Sequence, residues 1–192
     1  FPAIDMVSEG NYANPDEVIE QLKIDLNKPI VLFTQHSVTT EFNLATEQVE
    51  PSINALEGLA KEGVQIIVTY PNNDAGGAYI IEKLEELNTR SIDNIQVHRS
   101  LGRYLYHGIL ALAQDTKNRV VCVGNSSSGI KETPVFGCPT VNIGTRQKGR
   151  LRGKNVLDVD YQKELIIDAV TNCIKDKDFR KKCAETDNPY YI

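Results

Sequence analysis

The stretch Val120-Val121-Cys122-Val123-Gly124-Asn125-Ser126-Ser127-Ser128-Gly129-Ile130-Lys131-Glu132 decides how the chain is to be read. It opens on an unbroken apolar run, as a strand buried on both faces of a parallel sheet requires. It then passes through a loop of small residues and turns into a helical pattern. Strand, Gly-rich loop and helix in that order form the repeating unit of an open α/β sheet.

Working outward, the same alternation covers the chain. Apolar runs rich in Val and Ile predict strands at Pro29–Thr34, Val64–Tyr70, Ile95–His98, Val120–Val123, Thr140–Ile143 and Asn155–Val159. Between them, patterns of helical period predict helices at Asn14–Asp25, Glu47–Glu62, Gly76–Asn88, Leu101–Asp115, Ile130–Phe136, Gln162–Lys175 and Asp178–Glu185. Asn14-Pro15-Asp16-Glu17 supplies a capping residue, a first-turn proline and two early acids. The expected fold is α/β, a Rossmann-like doubly wound parallel sheet. In such sheets ligands bind beyond the carboxyl ends of the strands, so the loops there are the place to look for function.

Four of those loops carry suitable groups. In the serine loop, Gly124 and Gly129 bracket Asn125, Ser126, Ser127 and Ser128 ahead of a helix. Free N–H groups, hydroxyls and a helix start suit a phosphate; a flexible turn with a serine N-cap reads equally well. Pro134 requires the helix to begin shortly before it, which sets the serines at its N-terminus. Glu132, one turn further on, suits either vicinal hydroxyls such as a ribose presents or the favourable end of a helix dipole. After the next strand, Arg146, Lys148, Arg150, Arg152 and Lys154 put five cations within nine residues, a loop suited to phosphate or simply to solvent. The remaining two loops hold His36, and Asn72 with the candidate N-cap Asp74; His98 and Arg99 close a further strand at the same rim. His107 falls within a helical pattern and reads as structural.

Composition bounds the function. The 192 residues suit one domain of ordinary size; 41% are hydrophobic and 24% charged. A net charge of -5 argues against nucleic-acid binding, though a local pocket can still oppose it. No apolar run reaches the length of a membrane span, and Phe1-Pro2-Ala3-Ile4-Asp5 lacks the features of a signal peptide. That start also lacks Met, so the chain is expected to derive from a longer one. Cys122, Cys138, Cys173 and Cys183 form no C-x-x-C motif and read as free thiols of a cytoplasmic protein. No metal, nucleophile–histidine or P-loop signature occurs; Gly144 to Gly149 approximates the last but is followed by Arg150.

Several segments together resemble one family. Thr34-Gln35-His36-Ser37-Val38-Thr39-Thr40, Pro71-Asn72-Asn73-Asp74-Ala75-Gly76, the serine loop through Glu132, Phe136-Gly137-Cys138-Pro139-Thr140-Val141-Asn142-Ile143-Gly144-Thr145-Arg146-Gln147-Lys148-Gly149-Arg150 and Asn155-Val156-Leu157 follow in order. They are similar to the UDP-N-acetylglucosamine 2-epimerases, especially the hydrolysing branch. The resemblance implies the C-terminal half of a GT-B-type two-domain fold, with UDP or a UDP-N-acetylhexosamine in the interdomain cleft and no cofactor. Phe1–Asp5 resembles the segment after the crossover between halves, and Asn188-Pro189-Tyr190 the point before the chain returns. The implied UDP contacts are His36, Asn72, His98, Arg99, Ser126, Ser127, Ser128, Gly129, Glu132 and Arg146, with His36 assisting catalysis.

The implied reaction inverts C2 and eliminates UDP, after which water adds to give N-acetylmannosamine, in sialic-acid-type biosynthesis. The proton-transferring carboxylates are expected in the absent N-terminal half, and the chain alone is expected to be inactive. A non-hydrolysing epimerase, a glycosyltransferase half and a stand-alone UDP-sugar-binding module are the alternatives. A diacetylbacillosamine-type donor and a homo-oligomer are both compatible with the chain.

Overall fold

A computed structural model describes residues 9–185 and Pro189. The Phe1–Asp5 and Asn188–Tyr190 expectations lie outside the described residues, Pro189 apart. In chain order the elements are α1 (Pro15–Leu22), β1 (Ile30–Thr34), a 3-10 helix (Thr39–Leu44), α2 (Ala45–Lys61), β2 (Gln65–Thr69), α3 (Gly77–Thr89), β3 (Ile95–His98) and α4 (Gly102–Ala111). A 3-10 turn (Leu112–Gln114) leads to β4 (Val120–Gly124), α5 (Ser128–Lys131), α6 (Thr133–Phe136), β5 (Thr140–Ile143), β6 (Val156–Val159), α7 (Lys163–Lys175) and α8 (Lys177–Ala184).

The six strands form one sheet in the order β3-β2-β1-β4-β5-β6, and every pairing is parallel. The sheet is therefore doubly wound, as expected, and the strand order reverses direction between β1 and β4. Alternate strand residues feed two cores. Val31, Phe33, Ile66, Val68, Val121 and Val123 meet α2, α3 and α7 on one face. Ile30, Leu32, Ile67, Val120 and Cys122 meet α1, α4 and α6 on the other. Burying each of the larger side chains contributes roughly 1.5–3 kcal/mol. Among the described residues no helix is long and apolar enough to cross a membrane.

The strand expectations agree with the structure to within a residue at each end. The helices need three corrections. α1 begins on a capping box, with Glu17 N–H donating to Asn14 Oδ1 at 2.9 Å, but it ends at Leu22 because Lys23 turns left-handed at φ 54°. The helix expected at Ile130–Phe136 is two short ones that meet at Glu132 (φ −104°, ψ −35°). Pro134 has no N–H to continue the first, so it occupies the first turn of the second. Gly76 rather than Asp74 is the N-cap residue of α3, and no side chain caps that helix.

Candidate functional site

The loops after β1 and β4 flank the point where strand order reverses, and one residue ties them together. Asn125 is buried; its Oδ1 accepts the His36 N–H at 2.7 Å and its Nδ2 donates to the His36 carbonyl at 2.9 Å. The Asn125 carbonyl in turn accepts from Arg146 Nη1 at 3.0 Å and Gln147 Nε2 at 2.9 Å, which brings in the loop after β5. Gly124 makes the approach possible. It stands at φ +134°, and a Cβ there would lie 1.9 Å from the Thr34 carbonyl oxygen. Gln35 anchors the β1 loop from below, donating to the Gln48 carbonyl at 3.0 Å and accepting from Ser52 Oγ at 2.6 Å.

The frame orients His36. The Asn72 N–H donates to its Nδ1 at 2.9 Å. An N–H can only donate, so Nδ1 is bare and the neutral ring carries its proton on Nε2. Burial, then the nearby Arg146 charge, lowers the His36 pKa to about 4. His36 is therefore a neutral hydrogen-bond donor at pH 7. Arg146 is itself drawn down by burial, with Asp74 opposing, but a guanidinium stays charged.

Thr34, His36, Arg99, Arg103, Tyr106, His107, Ser126, Ser128 and Glu132 are among the residues that line a cleft of about 350 Å³ beyond the strand ends. Five of the expected site residues thus share it: His36, Arg99, Ser126, Ser128 and Glu132. Ser126 Oγ accepts from the Ser128 N–H at 3.4 Å and the Ser128 hydroxyl at 3.3 Å, which leaves its own proton to donate outward. Ser128 also meets the Tyr106 hydroxyl at 2.6 Å. Glu132 bonds through Oε1 to Nε2 of His107, a fully buried side chain of α4.

The other five lie around the cleft without lining it. Asn72 contributes its main chain to His36, while its side chain accepts the Asp74 N–H at 3.2 Å in a local turn. Arg146 stands behind His36 on the Asn125 carbonyl. Ser127 is the N-cap residue of α5 and Gly129 is packed within that helix. His98 pairs with Gln96 Oε1 at 2.7 Å, and burial lowers its pKa. The helix-start argument weakens too, because α5 has one turn and the Gly129 N–H is spent on the Ser126 carbonyl at 3.1 Å. The cations of the β5 loop divide between two roles. Arg152 folds back onto Asp158 and, at 2.7 Å, the Gln147 carbonyl, whereas Lys148, Arg150 and Lys154 are exposed.

Asn125, Tyr106 and the His107–Glu132 contact escaped the sequence reading. Asn125 was visible as one loop residue among several small ones. Tyr106 and His107 belong to a helix that only tertiary packing brings under the cleft.

Comparison with known proteins gives the family and the same fold. A family model described as UDP-N-acetylglucosamine 2-epimerase matches residues 2–192. The UDP-N-acetylglucosamine 2-epimerase of Neisseria meningitidis is 34% identical over 88% of this chain and 41% of its own length. The GDP/UDP-N,N'-diacetylbacillosamine 2-epimerase (hydrolyzing) of Campylobacter jejuni is 28% identical over 92% of this chain and 43% of its own. A crystal structure of the Neisseria meningitidis UDP-GlcNAc 2-epimerase bound to UDP-GlcNAc superposes with a TM-score of 0.66 at 19% identity, covering 92% of this chain and 45% of that one. This chain spans about two fifths of the length of these curated relatives. A family match over nearly its whole length, on the doubly wound sheet described above, establishes that the chain belongs to the UDP-N-acetylglucosamine 2-epimerase family.

Proposed function

We propose that this chain is the UDP-binding, C-terminal domain of a hydrolysing UDP-N-acetylglucosamine 2-epimerase acting in sialic-acid-type amino-sugar synthesis. The observation that carries the reading is the convergence of His36, Ser126, Ser128 and Glu132 on one cleft where the sheet reverses its strand order. A hydrolysing relative at 28% identity supports the subtype.

In the proposed reaction a base removes the C2 proton, the C1–O bond breaks and UDP departs with the electron pair. Water then adds across the resulting C1–C2 double bond, returning a proton to C2 from the opposite face. The carboxylates that move those protons belong to the other half of the enzyme. This half lowers the barrier by meeting the charge that develops on the departing diphosphate. The His36 Nε2–H and the Ser126 hydroxyl donate to its oxygens, and Arg146 supplies positive charge from behind. Glu132 holds the ribose hydroxyls. The Asn72 N–H on Nδ1 keeps the proton of the neutral His36 ring on Nε2, the nitrogen left to donate.

Calorimetry of UDP binding to the full-length protein tests the binding role. Glu132→Ala and Arg146→Ala should each weaken UDP about tenfold or more, as loss of a charged hydrogen-bond partner does; wild-type affinity in both would overturn it. Product analysis by NMR tests the reaction. Free N-acetylmannosamine and UDP are expected from the full-length enzyme, and neither from residues 1–192 alone. Accumulation of UDP-N-acetylmannosamine would mark the non-hydrolysing branch. Sugar transfer with C2 unchanged would mark a glycosyltransferase.

A further inference from the structure

His107 is a buried imidazole with one partner. It is 0% exposed, its Nε2 meets Glu132 Oε1, and its Nδ1 has no hydrogen-bond partner among the described residues. A side chain retained only to fill space would be better served by an apolar residue, because an unmatched buried nitrogen is costly. Among the described residues, the Nε2 contact with Glu132 is the hydrogen bond that offsets that cost.

The imidazole is also held still. Its ring lies 5.8 Å from that of Phe136 and 6.2 Å from that of Tyr106, and Phe136 is braced edge-on by Tyr12 at 5.4 Å. The next residue, Gly108, sits so close to α1's approach that a Cβ there would come within 2.7 Å of the Ala13 Cβ. α4 is therefore seated tightly and cannot draw His107 away. Glu132, by contrast, sits at the break between α5 and α6, on a long side chain with several rotamers. Its own backbone does not aim its carboxylate.

We propose that His107 is a positioning residue that fixes Oε1 of Glu132, so that Oε2 is presented in one orientation to the vicinal hydroxyls of a nucleoside diphosphate. The proposal rests on the reading of Glu132 given above as the ribose-binding carboxylate. A carboxylate only accepts, so the His107 Nε2 carries the donated proton and the contact fixes the ring's tautomer. With one oxygen engaged, the side chain loses its rotamer freedom when the protein folds rather than when the ligand arrives. Both groups border the cleft, but the Glu132 side chain is 16% exposed against 1% for that of His107, so the carboxylate is the one open to a ligand.

The test uses the full-length protein and two ligands, UDP and 2′,3′-dideoxy-UDP, which lacks the hydroxyls in question. H107L should weaken UDP about tenfold and leave dideoxy-UDP within about twofold, since only one charged hydrogen bond is disturbed. H107Q, whose amide can stand in for Nε2, should recover UDP binding to within about threefold of wild type. The double variant H107L/E132Q should bind UDP no more weakly than E132Q, because both substitutions remove the same interaction. Equal weakening of both ligands by H107L would reduce His107 to a packing residue, and no weakening of either would equally overturn the proposal. If H107L does not fold, H107N, too short to reach Oε1, makes the same comparison. E132Q serves as the reference. If E132Q weakens UDP and dideoxy-UDP alike, or weakens neither, the ribose reading falls and this proposal with it. If E132Q weakens UDP selectively and the His107 variants do not, only the role of His107 falls.

Discussion

His36 shows how a single ring can be tuned by its main-chain neighbours. Its Nδ1 is committed to the Asn72 N–H, burial disfavours charge, and Arg146 adds repulsion. The folded protein therefore binds a proton there only near pH 4, whereas an unfolded chain does so near 6.5. Between those values the unfolded state holds more protons, so this contribution to stability is complete above pH 6.5 and is lost as pH falls towards 4. On the order of 1–2 kcal/mol should disappear by pH 5. Urea titrations at pH 7 and pH 5 check it: His36→Gln should show a smaller loss than wild type. An identical loss in both would mean that another group governs the acid limb. The sequence placed His36 at the rim, from the strand end before it. Its tautomer was not legible, because that depends on an amide 36 positions further along the chain.

At the scale of elements, the strands could be read almost to the residue because each is an apolar run bounded by turn residues. Helix ends were less legible. The residues after Leu22 continue an acceptable pattern, and what ends α1 is the left-handed Lys23. The break at Glu132 follows from Pro134, but a proline by itself marks only where a helix starts and not that another turn of helix precedes it. The turn out of β4 gives this scale its prediction. Gly124→Ala places a methyl against the Thr34 carbonyl at a φ that side chains avoid, so it should cost about 3 kcal/mol or more. Gly149→Ala is the control: it too has positive φ, +84°, but open space around it, and should cost only about 1–2 kcal/mol. Thermal or urea unfolding of the two variants side by side reads the difference. Equal losses would show that the close approach of β4 to β1 is not what demands glycine.

Across the whole molecule, the doubly wound sheet was legible from the alternation of periods, and the shared cleft of His36, Arg99, Ser126 and Ser128 from their places after strands; Glu132, inside a helical pattern, was singled out by the family resemblance. Tyr106, His107 and the linking role of Asn125 were not, because their bonds join residues 22, 25 and 89 positions apart. The four thiols offer a test of how the packed layers hold together. Cys122, Cys138, Cys173 and Cys183 are all free and buried, and burial pushes Cys122, Cys173 and Cys183 up to about 12. Such thiols react only when the surrounding structure opens. In the native full-length protein, alkylation mapped by mass spectrometry should leave all four unmodified over the time in which guanidinium-unfolded protein is fully labelled. Rapid labelling of Cys183 alone would show that α8 detaches independently of the sheet.

Asn125 ties the loops after β1, β4 and β5 to one another through its side chain and its carbonyl. For the nucleotide proposed above, loops braced in this way would make a socket rather than a closing hand. Arrival is then governed by diffusion and charge instead of by waiting for loops to order, and a contact removed from the socket is felt as a shorter residence time.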